Sequence, residues 1–285
     1  MAFIIAADRC ALAVKWARIM RPTLYSAAVT MFVIVNGCVF AASPAVSKGR
    51  TFDGHPDLSG IWQTMSTANW DLQDHPAAPG PFFQLGAVGA IPSGQGVVEG
   101  GEIPYKPEAL KQKQENFNNR WKLDPEVKCY MGGIPRSNYM PYPFQIVQTP
   151  RKILMDYEYA SSNRVINMEK KHVEASVDTW MGTANGHWEG DTLVVDNTGF
   201  NDDSWFDRAG DFHSDQLHVL ERFSLADADH MNYEATIEDP QVFTRPWKIA
   251  LTLYRHVEKN AQLTEFKCVP FAEELLYGDV RKKTK

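Results

Sequence analysis

The turn signal Glu189-Gly190-Asp191 lies between two runs rich in aromatic and β-branched residues, and it constrains this chain more than any other feature. A glycine flanked by acidic residues in that setting closes a tight turn, so residues 181–197 read as a β-hairpin. The same pattern recurs along the chain. Residues 144–148 read as a strand, 153–159 and 164–168 as a hairpin around Ser161-Ser162-Asn163, and 217–225 with 231–238 as a hairpin through Asp227-Ala228-Asp229. Residues 247–256 and 262–268 make the last pair. With a strand at Ile61 this gives roughly nine to ten strands joined by short turns, and no helices alternate with them. Such a sheet must close or stack to bury its apolar face. Neighbouring hairpins favour a mainly β fold, an antiparallel up-and-down barrel of about 8–10 strands, with a β-sandwich as the alternative.

Two irregular stretches and one helix interrupt this meander. Residues 71–101 carry Pro76, Pro79, Pro81, Pro92 and a cluster of glycines, which predicts an ordered but irregular segment over the barrel mouth, or a linker. Residues 107–123 form the helix: Pro107 takes a favoured first position, Leu110, Phe117 and Trp121 recur on one face, and Asp124-Pro125 stops it. That face is expected to dock on the barrel. Residues 131–143 are again rich in Gly and Pro and contain Tyr139 and Tyr142.

Ahead of all this, residues 23–41 form an apolar run preceded by Arg18 and Arg21 and followed by Ala41, Ala42 and Ser43. This is the layout of an export signal, with Met20 the more ordinary start, and it predicts a periplasmic or secreted protein. A second reading makes Cys38, in Val35-Asn36-Gly37-Cys38, the lipidated cysteine of a lipoprotein signal. The run falls just short of the ~20 residues a membrane span needs. Removing 41 of 285 residues leaves 244, one domain's worth, and takes four of 29 basic and one of 35 acidic residues, leaving 25 against 34, or −9. That balance argues against a nucleic-acid partner. Of four cysteines, Cys129 and Cys268 remain. In an exported protein an isolated pair is most simply a disulfide, with two buried thiols as the alternative.

Side chains at i and i+2 share a strand face. Val219, Glu221, Phe223 and Leu225 share one face, so Glu221 is a carboxylate among apolar residues. A carboxylate placed so needs a cation or donors, or its pKa rises and it becomes a candidate acid or base. Arg255, at the end of the strand carrying Trp247, Ile249, Leu251 and Leu253, is the expected cation, and a purely structural Glu221 to Arg255 pair is the competing reading. His213, in the loop entering that strand, and His187 and His218 are further acid/base candidates, since imidazole titrates near neutrality. Asp196 completes the catalytic candidates. Trp180, Trp205, Trp247, Tyr139 and Tyr142, with Arg255 and Tyr233, are the candidate substrate-binding residues, suited to a flat or apolar ligand. No metal-ligand spacing and no nucleophile or phosphate-loop motif is present, and no cofactor is implied. The acidic loop 201–207 offers oxygen ligands suited to calcium without the spacing of a known calcium loop.

Ser59-Gly60-Ile61-Trp62, Trp188-Glu189-Gly190-Asp191-Thr192-Leu193-Val194-Val195-Asp196 and His213-Ser214-Asp215-Gln216-Leu217-His218-Val219-Leu220-Glu221-Arg222-Phe223 together resemble a large group of exported, mostly uncharacterised bacterial proteins. The resemblance spans nearly all of the chain after residue 41 and implies no site residues. Separately, Gly60-x-Trp62 at the start of a meander resembles the opening motif of lipocalins and related calycin barrels, in which the Trp plugs the closed end. Two functions follow. One is a cofactor-independent acid/base enzyme, a lyase or isomerase on a hydrophobic or aromatic small molecule such as a plant- or lignin-derived phenolic, with Glu221 or His213 moving the proton and Arg255, Tyr233 or Asp196 positioning. The other is a lipocalin-type carrier of an apolar ligand. Glu221 and a histidine lining one cavity would favour the enzyme; a Glu221 fully paired beneath a cavity floor would favour the carrier.

Overall fold

The computed structural model describes residues 49–280, and the readings of the export signal, Met20 and Cys38 lie outside them. Nine strands close into a barrel in chain order. They are β1 (Gly60–Thr64), β2 (Phe144–Gln148), β3 (Lys152–Tyr157), β4 (Asn163–Asn167), β5 (Thr183–Glu189), β6 (Thr192–Thr198), β7 (His218–Leu225), β8 (His230–Glu238) and β9 (Trp247–Arg255). The β5–β6 hairpin closes through Gly190, whose φ of +61° a residue with a side chain rarely adopts. Alternation holds along the wall: on β8, Met231, Tyr233, Ala235 and Ile237 face inward while Asn232 and Glu234 face water. The interior is filled by large side chains such as Phe144, Tyr157, Phe223 and Leu253, each worth about 1.5–3 kcal/mol when buried.

Three sequence expectations need correction. The barrel is mixed, because β4 and β5 run parallel while the other pairs are antiparallel. Residues 262–268 form no strand: β9 pairs with β8 on one side and β1 on the other, so no edge is left, and the segment is drawn instead to the Cys129–Cys268 disulfide. The helix α1 (Pro107–Leu123) docks differently from its pattern, burying Ala109 and Asn116 while Leu110 and Phe117 stay exposed. Its partner is backbone: Asn116 Nδ2 donates to the Gly210 carbonyl at 3.2 Å, and a side chain at Gly210 would run into the helix.

The 71–101 stretch is packed rather than a linker. It folds back on itself through bridges His75 to Gly94 and Ala78 to Ile91, then lays Val98 against Ile249 of β9.

Trp62 of β1 is fully buried, its Nε1 donating to the Leu58 carbonyl at 2.9 Å. The Arg255 guanidinium lies 4.0 Å from the Trp62 ring centre and donates to the carbonyls of Ser59 and Ala228. Gly60 has φ +142°, and a Cβ there would collide with that guanidinium, which is why the motif begins with glycine. The closed barrel is compatible with a lipocalin-like fold. Among the described residues no helix is long and apolar enough to cross a membrane.

Candidate functional site

Glu221 lies on the inner face of β7, flanked across the sheet by Val195 of β6 and Ala235 of β8, and is fully buried. Its carboxylate accepts five hydrogen bonds. Arg164 of β4 donates from Nη1 at 2.5 Å and from Nη2 at 3.1 Å; Asn138 Nδ2 donates at 2.7 Å, Asn197 Nδ2 at 2.8 Å and the Tyr233 hydroxyl at 2.9 Å. Tyr157 donates in turn to Asn138 Oδ1 at 2.8 Å. Burial pushes both tyrosine hydroxyls upward, so they stay neutral donors. Burial works against the charge on Arg164, but the Glu221 carboxylate overcomes it and holds the guanidinium above its ordinary value. The cluster is one ion pair in which the carboxylate is saturated by donors.

The cation is therefore Arg164 and not Arg255, which β9 register sets opposite Trp62. Arg164 shares a strand face with the buried Ile166, so alternation alone could have flagged it. Asn138 could not be found that way: it enters from a 3-10 turn, Arg136–Asn138, in a stretch with no periodicity.

The other catalytic candidates lie elsewhere. His218 and Asp196 are on the outer face, His218 Nε2 3.0 Å from Asp196 Oδ1 and Nδ1 3.5 Å from Glu238. His187 is exposed beside Glu189. His213 is buried in the loop before β7, with Nδ1 2.9 Å from the Ser214 carbonyl and Nε2 2.7 Å from Ser204 Oγ. Burial lowers its pKa, which favours the neutral ring; Nδ1–H then donates to Ser214 and Nε2 accepts from the Ser204 hydroxyl. The barrel wall separates Glu221 from the His218 and Asp196 pair.

Of the aromatic candidates, Tyr139 is buried with its hydroxyl on the Phe206 carbonyl, Trp205 is buried, and Trp247 packs between Phe206 and Phe243. Tyr142 lines a groove outside the barrel. In the acidic loop, Asp207 turns inward to meet Asp71 and Asp211, with one oxygen of each within 4.8 Å of the others. Burial, then the neighbouring carboxylates of Asp211 and Asp71, push Asp207 well above the usual range. This trio is the one grouping suited to a cation among the described residues, and Lys113 Nζ, 3.2 Å from Asp211, already supplies one.

Trp180 marks the opening that reaches the buried cluster. The parallel β4–β5 pairing covers only Ile166 with Ala184 and Asn167 with Asn185, so the chain ahead of each pair diverges. A pocket of about 650 Å³ occupies that seam, lined by Asn163, Arg164 and Val165 on one side and residues 178–182 on the other, with Met131 and Asn201. Two buried polar atoms of these lining residues, Arg164 Nε and Asn201 Oδ1, have no hydrogen-bond partner. Arg164 thus belongs both to the pocket wall and to the Glu221 cluster.

No protein-family model matches this chain, and no curated protein or solved structure matches it.

Proposed function

We propose that this protein binds a small hydrophobic or aromatic molecule without transforming it, in the seam pocket between β4 and β5. The observation that carries this reading is the contrast between Glu221, whose carboxylate is saturated by five donors, and Arg164 Nε with Asn201 Oδ1, which are buried and unpaired. A buried polar group without a partner costs about 1–3 kcal/mol, and a ligand that supplies the partner recovers it. Trp180, Met131 and Met181 offer apolar surface beside these two atoms. The matching ligand is a flat molecule whose oxygen accepts from Arg164 and whose hydroxyl donates to Asn201, as a phenol carrying a carbonyl does.

The test is calorimetric titration with hydroxylated aromatic aldehydes and their methyl ethers. Trp180→Ala and Asn201→Leu should each weaken binding of the hydroxylated compound by about tenfold, near 1.4 kcal/mol. Equal affinity in both variants would remove the seam as the site.

Acid/base catalysis is the second reading, favoured by His213. Its neutral imidazole accepts from Ser204, and Ser204 packs against Gly133, which in turn lies against the Trp180 backbone of the seam wall. Mass spectrometry of the same compounds after incubation separates the two readings. Turnover that disappears in folded His213→Gln or Glu221→Gln variants establishes an enzyme; binding with no change of mass leaves the carrier.

A further inference from the structure

A second cavity, outside the barrel and independent of the seam, carries a different chemistry. The C-terminal segment crosses the region just after α1, where the Cys129–Cys268 disulfide fixes it. A pocket of about 180 Å³ lies beneath it. That is smaller than the ~300–1,000 Å³ of sites for drug-sized ligands, so its occupant is a small molecule or one headgroup of a larger one.

Its walls are aromatic. Tyr142, Tyr159 and Phe266 meet one another with ring centres 5.0–5.4 Å apart, and Trp121 and Phe271 extend the lining. Its charge is acidic, since Glu126 and Glu273 line it and Arg208 is the one cation among its described lining residues. Arg208 is already engaged, donating to both oxygens of Glu126 at 2.7 and 2.8 Å. Burial resists the charge on Glu126, but Arg208 and then Arg136 outweigh it and hold the carboxyl down at about 2, so this pair remains ionised at any physiological pH. Among the described residues an anion entering the cavity would find no free cation, and Glu273 has no cationic partner.

Aromatic faces attract cations through their quadrupole, and alkylated ammonium groups exploit this best because they lose little hydration and need no hydrogen bond. The neighbouring rings already do this within the chain: the Arg208 guanidinium sits 4.5 Å from the Trp70 ring centre and that of Arg120 5.0 Å from Trp121. We propose that this cavity is a binding site for a small organic cation of the alkylated or quaternary ammonium class, held by Tyr142, Tyr159 and Phe266 with Glu273 balancing its charge.

The experiment compares choline with its uncharged isostere 3,3-dimethylbutan-1-ol by calorimetric titration of the disulfide-bonded protein. Choline is expected to bind at least about tenfold more tightly than the isostere. Tyr142→Leu and Phe266→Leu, both at partly exposed positions, should each reduce choline affinity about tenfold with the circular dichroism unchanged. Glu273→Gln should reduce it several-fold and flatten its salt dependence. Equal binding of choline and the isostere would show a merely apolar cavity and overturn the proposal, as would no binding of either. Affinity that survives both ring substitutions would place the cation elsewhere and overturn it too.

Discussion

Glu221 and Arg164 illustrate what a buried ion pair does to a barrel interior. Each charge is tolerated because the other, together with Asn138, Asn197 and Tyr233, replaces the water it lost. Removing one partner leaves the other uncompensated, which costs about 3–5 kcal/mol. Glu221→Gln should therefore lower the melting temperature by on the order of 10 °C, and Arg164→Met by a similar amount. The double variant should fall less than the sum of the two, because neither charge is then stranded. Thermal denaturation of the three proteins checks this; strict additivity would show that the pair is not coupled. His213 makes a pH prediction of definite sign. Its folded pKa is depressed below the unfolded value of about 6.5, so it contributes stability that is present above that pH and is lost as pH falls toward the folded value. His213→Gln should remove that part of the acid limb in urea unfolding measured from pH 7.5 down to pH 5, while an unchanged limb would mean that the ring charges without resistance.

Among the elements, the parallel seam and the disulfide have separable roles. The bridge closes a loop of sequence separation 139, which the chain-entropy model equates with about 5 kcal/mol of stability. Its purpose is to anchor the irregular segment after β9, since the barrel closes through β9 and β1 without it. Cys129→Ser/Cys268→Ser should therefore unfold at lower denaturant, and limited proteolysis should cut first within residues 262–280 while the barrel persists. Simultaneous cleavage throughout the barrel would show instead that the bridge holds the whole fold. Closure itself depends on Gly60. Gly60→Ala would push a Cβ into the Arg255 guanidinium at a φ of +142°, so a loss of about 1–3 kcal/mol is expected in denaturant unfolding, and a neutral effect would show that Arg255 moves aside freely.

For the molecule as a whole, what could be read in advance was what period-two alternation and turn chemistry encode. The strands, the barrel and the inward direction of Glu221 follow from side chains at i and i+2 and from short turns, which are local, whereas the pairing of Cys129 with Cys268 rests on their being the two cysteines left after residue 41. The docking face of α1 was not legible, because its partner is the Gly210 backbone, which carries no sequence pattern of its own. Nor was the end of the meander: residues 262–268 have strand-like spacing, but closure of β9 on β1 had already satisfied every edge. By itself the sequence determined which residues face inward. Only the tertiary structure decided which of them meet, because partners such as Arg164 and Asn138 are chosen by register around a closed sheet and by a loop that enters it, and neither is a property of any one segment.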